Sequence, residues 1–249
     1  MSEKDDVFRR LTTSIEAAAR LRAKARRSRD ATVARNRLRS WQAARLARTH
    51  ADLLANAEYA DAARFFLTDL YGPSEIGNRD HLLLRVAPIM VKTLPVSGLA
   101  AIADAIDLDA LSESLDADMV AALGDDIGHN APAAYGRAYR AVGRRADRAR
   151  QIDLIEHLGG ALEILARQRF IGAALAGMRK PARLAGFGDL QAFLERGYEA
   201  FRKMRKVAPF LDAVVSRERA VSRALFAGDD SPLHGGLPGP AARGAPADS

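Results

Sequence analysis

The chain has 249 residues, 48% of them hydrophobic and 28% charged, with a formal net charge of +7. That is enough apolar material for a real core in one large domain or two small ones, and it excludes a wholly disordered chain. The absence of cysteine excludes disulfides, thiol catalysis and thiolate-held metals, while a charged start without an apolar leader, and no run of roughly 18–20 apolar residues, make a cytoplasmic protein without a membrane span the expectation.

From Met1 to Tyr71 there is neither glycine nor proline, and Ala, Arg, Leu and Glu dominate, which predicts helix. One helix of that length would span about 100 Å, so a break is expected near Ser28-Arg29-Asp30 with Asp30 as the next cap. This gives a protruding basic helical arm over residues 1–30 and a long second helix, bent near His50, that stops at Gly72-Pro73. Asn78 reads as the cap of a helix over 79–94 kinked at Pro88, and shorter helices are expected over 97–106 and 108–123.

Asn130-Ala131-Pro132 opens a helix to about Leu158, weakened at Gly136 and Gly143. Gly159-Gly160 separates it from an apolar helix carrying Leu162, Ile164, Leu165, Phe170, Ile171 and Leu175. Asp189 caps the next helix, in which Leu190, Phe193, Leu194, Gly197, Tyr198, Phe201 and Met204 share one stripe. A last helix is expected over 208–227, and the proline- and glycine-rich residues 228–249 as a disordered tail. No segment alternates with period two, so the fold class is all-α: an irregular bundle of seven to nine helices, with its helical domain over residues 31–227.

Charge is unevenly distributed along this framework. Residues 1–50 carry 14 Lys or Arg against 5 Asp or Glu, so the rest of the chain is slightly acidic. Between Lys92 and Arg137 no cation occurs, and Asp104, Asp107, Asp109, Glu113, Asp116, Asp118, Asp125 and Asp126 fill the gap. A basic arm and an acidic belt in one chain can face each other, within a copy or across a dimer.

Polarity and aromatic packing coincide in residues 65–81. Asp69 stands at the C-terminal end of an apolar helix, where the dipole disfavours an anion by about 0.3–1 kcal/mol, so a compensating arginine is expected. Asp69, Tyr71, Arg79 and Asp80 are the ligand-pocket candidates, the alternative being a salt bridge that fastens the intervening loop. On the arm, Arg20, Lys24 and Arg27 share one helix face and Arg35 and Arg39 another, making them candidates for an anionic partner such as nucleic-acid phosphate. Trp41 is the single aromatic there, which disfavours base stacking.

Neither Glu-x-x-His nor His-Glu-x-x-His occurs around His50, His81, His129, His157 and His234, and His129 beside Asp125 and Asp126 falls in a stretch that Gly124 and Gly128 mark as a loop, so no metal or cofactor is expected. Gly186 and Gly188 precede a helix but follow no strand, and no serine sits in a nucleophile elbow. No catalytic residue is assigned.

Phe65-Phe66-Leu67-Thr68-Asp69-Leu70-Tyr71-Gly72-Pro73, Arg79-Asp80 and Leu94-Pro95, with a second block over residues 179–190, resemble the signature of an uncharacterised bacterial family of helical proteins, a domain of unknown function. The resemblance implies an all-helical fold over most of the chain and a bacterial origin, and carries no activity, cofactor or site.

The functional expectation is a non-enzymatic helical protein that binds a partner protein, a second copy or a small apolar ligand. The alternatives are a nucleic-acid-associated protein acting through residues 20–48, and an enzyme with a pocket around Asp69, Tyr71 and Arg79.

Overall fold

The computed structural model describes residues 3–67, 84, 87–88, 91, 96–126, 131–184 and 186–234. Among these residues there are ten α-helices, two short 3-10 turns and no strand: an all-α multi-helix bundle. The helices are α1 (Glu3–Arg26), α2 (Arg29–Thr49), α3 (Ala51–Ala55), α4 (Ala60–Phe65), α5 (Val96–Leu123), α6 (Ala131–Val142), α7 (Arg145–Arg167), α8 (Arg169–Leu184), α9 (Gly188–Lys203) and α10 (Ala208–Ala227). None of them is long and apolar enough to cross a membrane.

The break after α1 falls where the sequence placed it, with a different cap. Ser28 adopts an extended backbone and its Oγ accepts from the Ala31 amide at 3.2 Å, so the hydroxyl satisfies a first-turn donor that the expected Asp30 would have taken. Beyond Thr49 the long second helix is not merely bent. It ends at His50, restarts as the short α3, and restarts again after Asn56, whose side chain accepts from the Glu58 amide at 2.8 Å.

Two other boundaries differ from the sequence reading. Residues 96–123 form one helix about 42 Å long, because neither glycine nor proline interrupts them after the first turn and the side chain of Asp107, at the expected break, is engaged by Arg10 and Ser14. Gly159-Gly160 lies inside α7, where the missing side chain of Gly159 lets Leu211 of α10 pack against the helix backbone. The real break in that region is Gly143-Arg144, both at positive φ (69° and 43°), a left-handed turn that separates α6 from α7.

α5 is the central post. α1 and α2 pack on one side of it, α6 and α7 on the other, and α10 lies against α6 and α7. The arm therefore does not protrude: Leu11, Ile15 and Ala18 of α1 are fully buried, with Leu11 and Ile15 in one cluster with Leu99 and Ala103 of α5, each large side chain stabilising the contact by about 1.5–3 kcal/mol. A second cluster joins Phe65 and Phe66 to Leu154, Ile155 and Leu158 of α7, Phe201, and Phe210 of α10. A third brings Leu38 of α2, Met119 of α5, Tyr135 and Tyr139 of α6 and Leu225 of α10 around Leu233. Leu233 lies past the expected end of the ordered chain: Pro232 and Leu233 are buried, and Asp230 accepts from Arg140 at 2.7 Å.

Candidate functional site

The acidic belt and the basic helices meet inside the molecule. Arg10 of α1 donates to Asp104 and Asp107, and Arg22 donates to Asp109 at 2.8 Å and Glu113 at 3.2 Å. From α2, Arg35 donates to Glu113, while Arg39 donates to Glu113 at 2.8 Å and Asp116 at 2.9 Å. Glu113, 3% exposed, thus takes three guanidiniums. Burial alone would raise its pKa, but Arg39 and Arg35 outweigh that and hold it below the ordinary glutamate range.

At the far end of this ionic layer α2, α5, α6, α7 and α10 leave a cavity of about 70 Å³, room for about five water molecules. Its polar wall includes Gln42 and Arg45 of α2, Ser112 and Asp116 of α5, Tyr139 of α6, Arg148 and Gln151 of α7, and Glu218 and Ser222 of α10. Leu46, Ile152, Val221 and Leu233 close its apolar side.

Most of these groups are held by partners. Arg45 Nη1 donates to both carboxylate oxygens of Glu218 at 2.6 and 2.7 Å, and His50 Nε2 lies 3.0 Å from Glu218 Oε1. Burial opposes ionisation of Glu218, yet Arg45 and His50 pull its pKa down to about 2. An ionised Glu218 only accepts, so His50 donates to it through Nε2, and His50 Nδ1 is buried without a partner. Tyr139 Oη and Ser222 Oγ are 3.0 Å apart, and burial pushes the Tyr139 pKa up. Gln151 donates to Ser112 at 2.8 Å.

Arg148 is the exception. It is 7% exposed, its guanidinium lies 4.7 Å from the centroid of the Tyr139 ring, and Nη1 makes one long contact, 3.4 Å, to Gln151. Among the described residues no carboxylate pairs with it, and its buried Nη2 has no partner. A buried charge of this kind is costly unless something neutralises it.

A second feature lies on the outside. Of the five large hydrophobic side chains exposed among the described residues, Ile164 ends α7 and Phe170, Met178 and Leu184 lie on α8, Leu184 being 90% exposed. Helical spacing puts Phe170, Ala174, Gly177, Met178, Pro181 and Leu184 on one face, opposite the side on which Arg179 and Leu175 engage Glu195 and Gln191 of α9.

Asp69, Tyr71, Arg79 and Asp80 lie outside the described residues, as do His81, His129 and the helix expected over 79–94, save four of its positions. Phe65 and Phe66, from the same stretch, are core residues: Phe66 packs 6.0 Å from Phe201 and 5.8 Å from Phe210. The candidates for an anionic partner divide. Arg35 and Arg39 are turned inward onto Glu113 and Asp116, whereas Arg20, Lys24 and Arg27 are exposed. Trp41 packs 4.3 Å from Tyr135. Among the described residues no group of three or more acidic or histidine side chains is placed to hold a metal ion.

Sequence reasoning did not single out Arg148 or Glu218. The available signal was register: Arg148 precedes Ile152, Ile155 and Gly159 on the buried stripe of α7, with no acid three or four residues away, and Glu218 falls between Val215 and Leu225 on that of α10.

The family model for Domain of unknown function (DUF8198) matches residues 21–232, most of the chain, and the protein belongs to that family. This agrees with the resemblance to a domain of unknown function. No curated protein and no solved structure matches the chain.

Proposed function

We propose that this family member is a non-enzymatic helical binding protein whose site is the polar cavity between α2, α5, α6, α7 and α10, and that it holds a small polar molecule there. The observation that carries this reading is a preorganised polar wall: Glu218, Asp116 and Tyr139 are each fixed by a partner from another helix, while Arg148 Nη2 has none. A purely structural ionic layer closes on itself, whereas this one ends at a cavity lined by an arginine that no carboxylate among the described residues meets. The polar lining favours a polar ligand over the apolar one expected from composition. No side chain of the wall is an activated nucleophile beside a base, which supports binding over catalysis, and the lack of cysteine supports a cytoplasmic setting.

Native mass spectrometry of the protein purified from its own host tests this. A bound small molecule that disappears in Ser112→Leu, which fills the cavity, is the expected result. A wild-type protein carrying no ligand under gentle conditions speaks against the reading.

The exposed face of α8 favours a second, compatible reading, in which two copies dock. Gly177, with nothing within 4 Å of its missing side chain, lies seven residues from both Phe170 and Leu184. An antiparallel crossing of two α8 helices at Gly177 sets each Phe170 against the other copy's Leu184, a self-complementary arrangement of the kind twofold dimers use.

A further inference from the structure

We propose that the molecule held in the cavity is a small oxyanion, gripped by the Arg148 guanidinium. The proposal rests on the cavity being a ligand site and names the chemical class that fits it.

Charge is the first argument. Arg39, Arg45 and Arg148 line the cavity beside Asp109, Asp116 and Glu218. Asp109 pairs with Arg22, Asp116 with Arg39 and Glu218 with Arg45, at 2.8, 2.9 and 2.6 Å, so Arg148 is the lining cation that no carboxylate among the described residues meets. Water can satisfy its hydrogen bonds but leaves the buried charge uncompensated; a monovalent or divalent anion does both.

Geometry is the second. Tyr139 lies against the Arg148 guanidinium and so restricts its orientation, and Arg148 lines the cavity with one long hydrogen bond, from Nη1 to Gln151 at 3.4 Å. Gln151, in contact with Arg148 Nη1, and the linked hydroxyls of Tyr139 and Ser222 add groups that can donate to further oxygens. The acids of the wall do not repel an incoming anion at full strength, because Arg39 and Arg45 already neutralise Asp116 and Glu218 at 2.9 and 2.6 Å. Asp109 is likewise paired, with Arg22 at 2.8 Å. The third argument is size: a space of about 70 Å³ suits a phosphate, a sulfate or a short carboxylate.

The test is thermal unfolding of the intact protein in sodium phosphate, sodium sulfate and sodium acetate, against sodium chloride at matched ionic strength. At least one oxyanion should raise Tm saturably, by roughly 5 °C when present at about a hundredfold excess over its Kd. Arg148→Met should abolish the rise, and Arg148→Lys, which keeps the charge without the planar fork, should weaken the affinity about tenfold or more. If Arg148→Met does not fold, the lysine variant and equilibrium dialysis of wild type against phosphate carry the test. Equal responses in wild type and either variant, or no oxyanion effect, overturn the proposal. A neutral molecule in the native mass spectrum, lost in Ser112→Leu and indifferent to phosphate, overturns the oxyanion and leaves the cavity as a ligand site; no bound molecule and no anion response defeats both.

Discussion

Arg148 faces Tyr139 at 4.7 Å, and that ring, not a carboxylate, is the main company of this buried charge. A cation over an aromatic face recovers about 0.5–2 kcal/mol, less than the cost of burying a guanidinium with an empty donor. Arg148 is thus an expensive residue for the fold and a useful one for a ligand.

It follows that Arg148→Met leaves the ligand-free protein as stable as wild type or more so, since it removes an uncompensated charge and keeps the stem that packs beside Ile152. Urea unfolding in a chloride buffer measures this. A loss of more than about 2 kcal/mol would identify Arg148 as a structural residue.

Glu113 should behave in the opposite way. It is the common acceptor for Arg22, Arg35 and Arg39, so Glu113→Gln leaves three guanidiniums around a neutral amide. The expected loss is about 3–5 kcal/mol, read as a lower urea midpoint at unchanged slope; a loss under 1 kcal/mol would mean that the layer relaxes around water instead.

Glu218 supplies a pH dependence whose sign is fixed. Its pKa is about 2 in the folded protein against an ordinary glutamate value of 4.5, so the stability it contributes is fully present above pH 4.5 and is lost as pH falls towards 2. The contribution is of the order of 3 kcal/mol. The difference in unfolding free energy between wild type and Glu218→Gln should be constant from pH 7 to 5 and shrink between pH 4.5 and 2. A gap that widens on acidification would contradict the Arg45–Glu218–His50 arrangement.

The α8 face predicts a concentration-dependent dimer. Light scattering after size exclusion should give the mass of two chains at high concentration, and Leu184→Glu or Gly177→Glu should give one, with the helical circular dichroism intact. A wild type that remains monomeric throughout removes the docking of two copies without touching the cavity.

How much of this was legible in the sequence depends on distance along the chain. Starts and stops that rest on neighbouring residues were readable: the break at Ser28, the last helix over 208–227 and the stripe leading to Phe201 and Met204. Glycines misled where only tertiary packing decides, since Gly159 serves Leu211 from another helix and breaks nothing. The opposition of basic and acidic segments was visible as composition, but not which arginine meets which acid. Arg45 and Glu218 are 173 residues apart, and Arg39 and Asp116 are 77 apart. An unpaired arginine on an apolar stripe looks, in one dimension, like any other charge on a mixed helix.

The most direct measurement is anomalous diffraction from crystals of the wild-type protein soaked in selenate, whose selenium marks an oxyanion unambiguously. A selenium peak inside the cavity, with an oxygen within hydrogen-bond distance of the Arg148 guanidinium, is the predicted result. Selenate bound only at surface cations such as Arg20, Lys24 and Arg27, with Arg148 facing ordered water in the cavity, would contradict it.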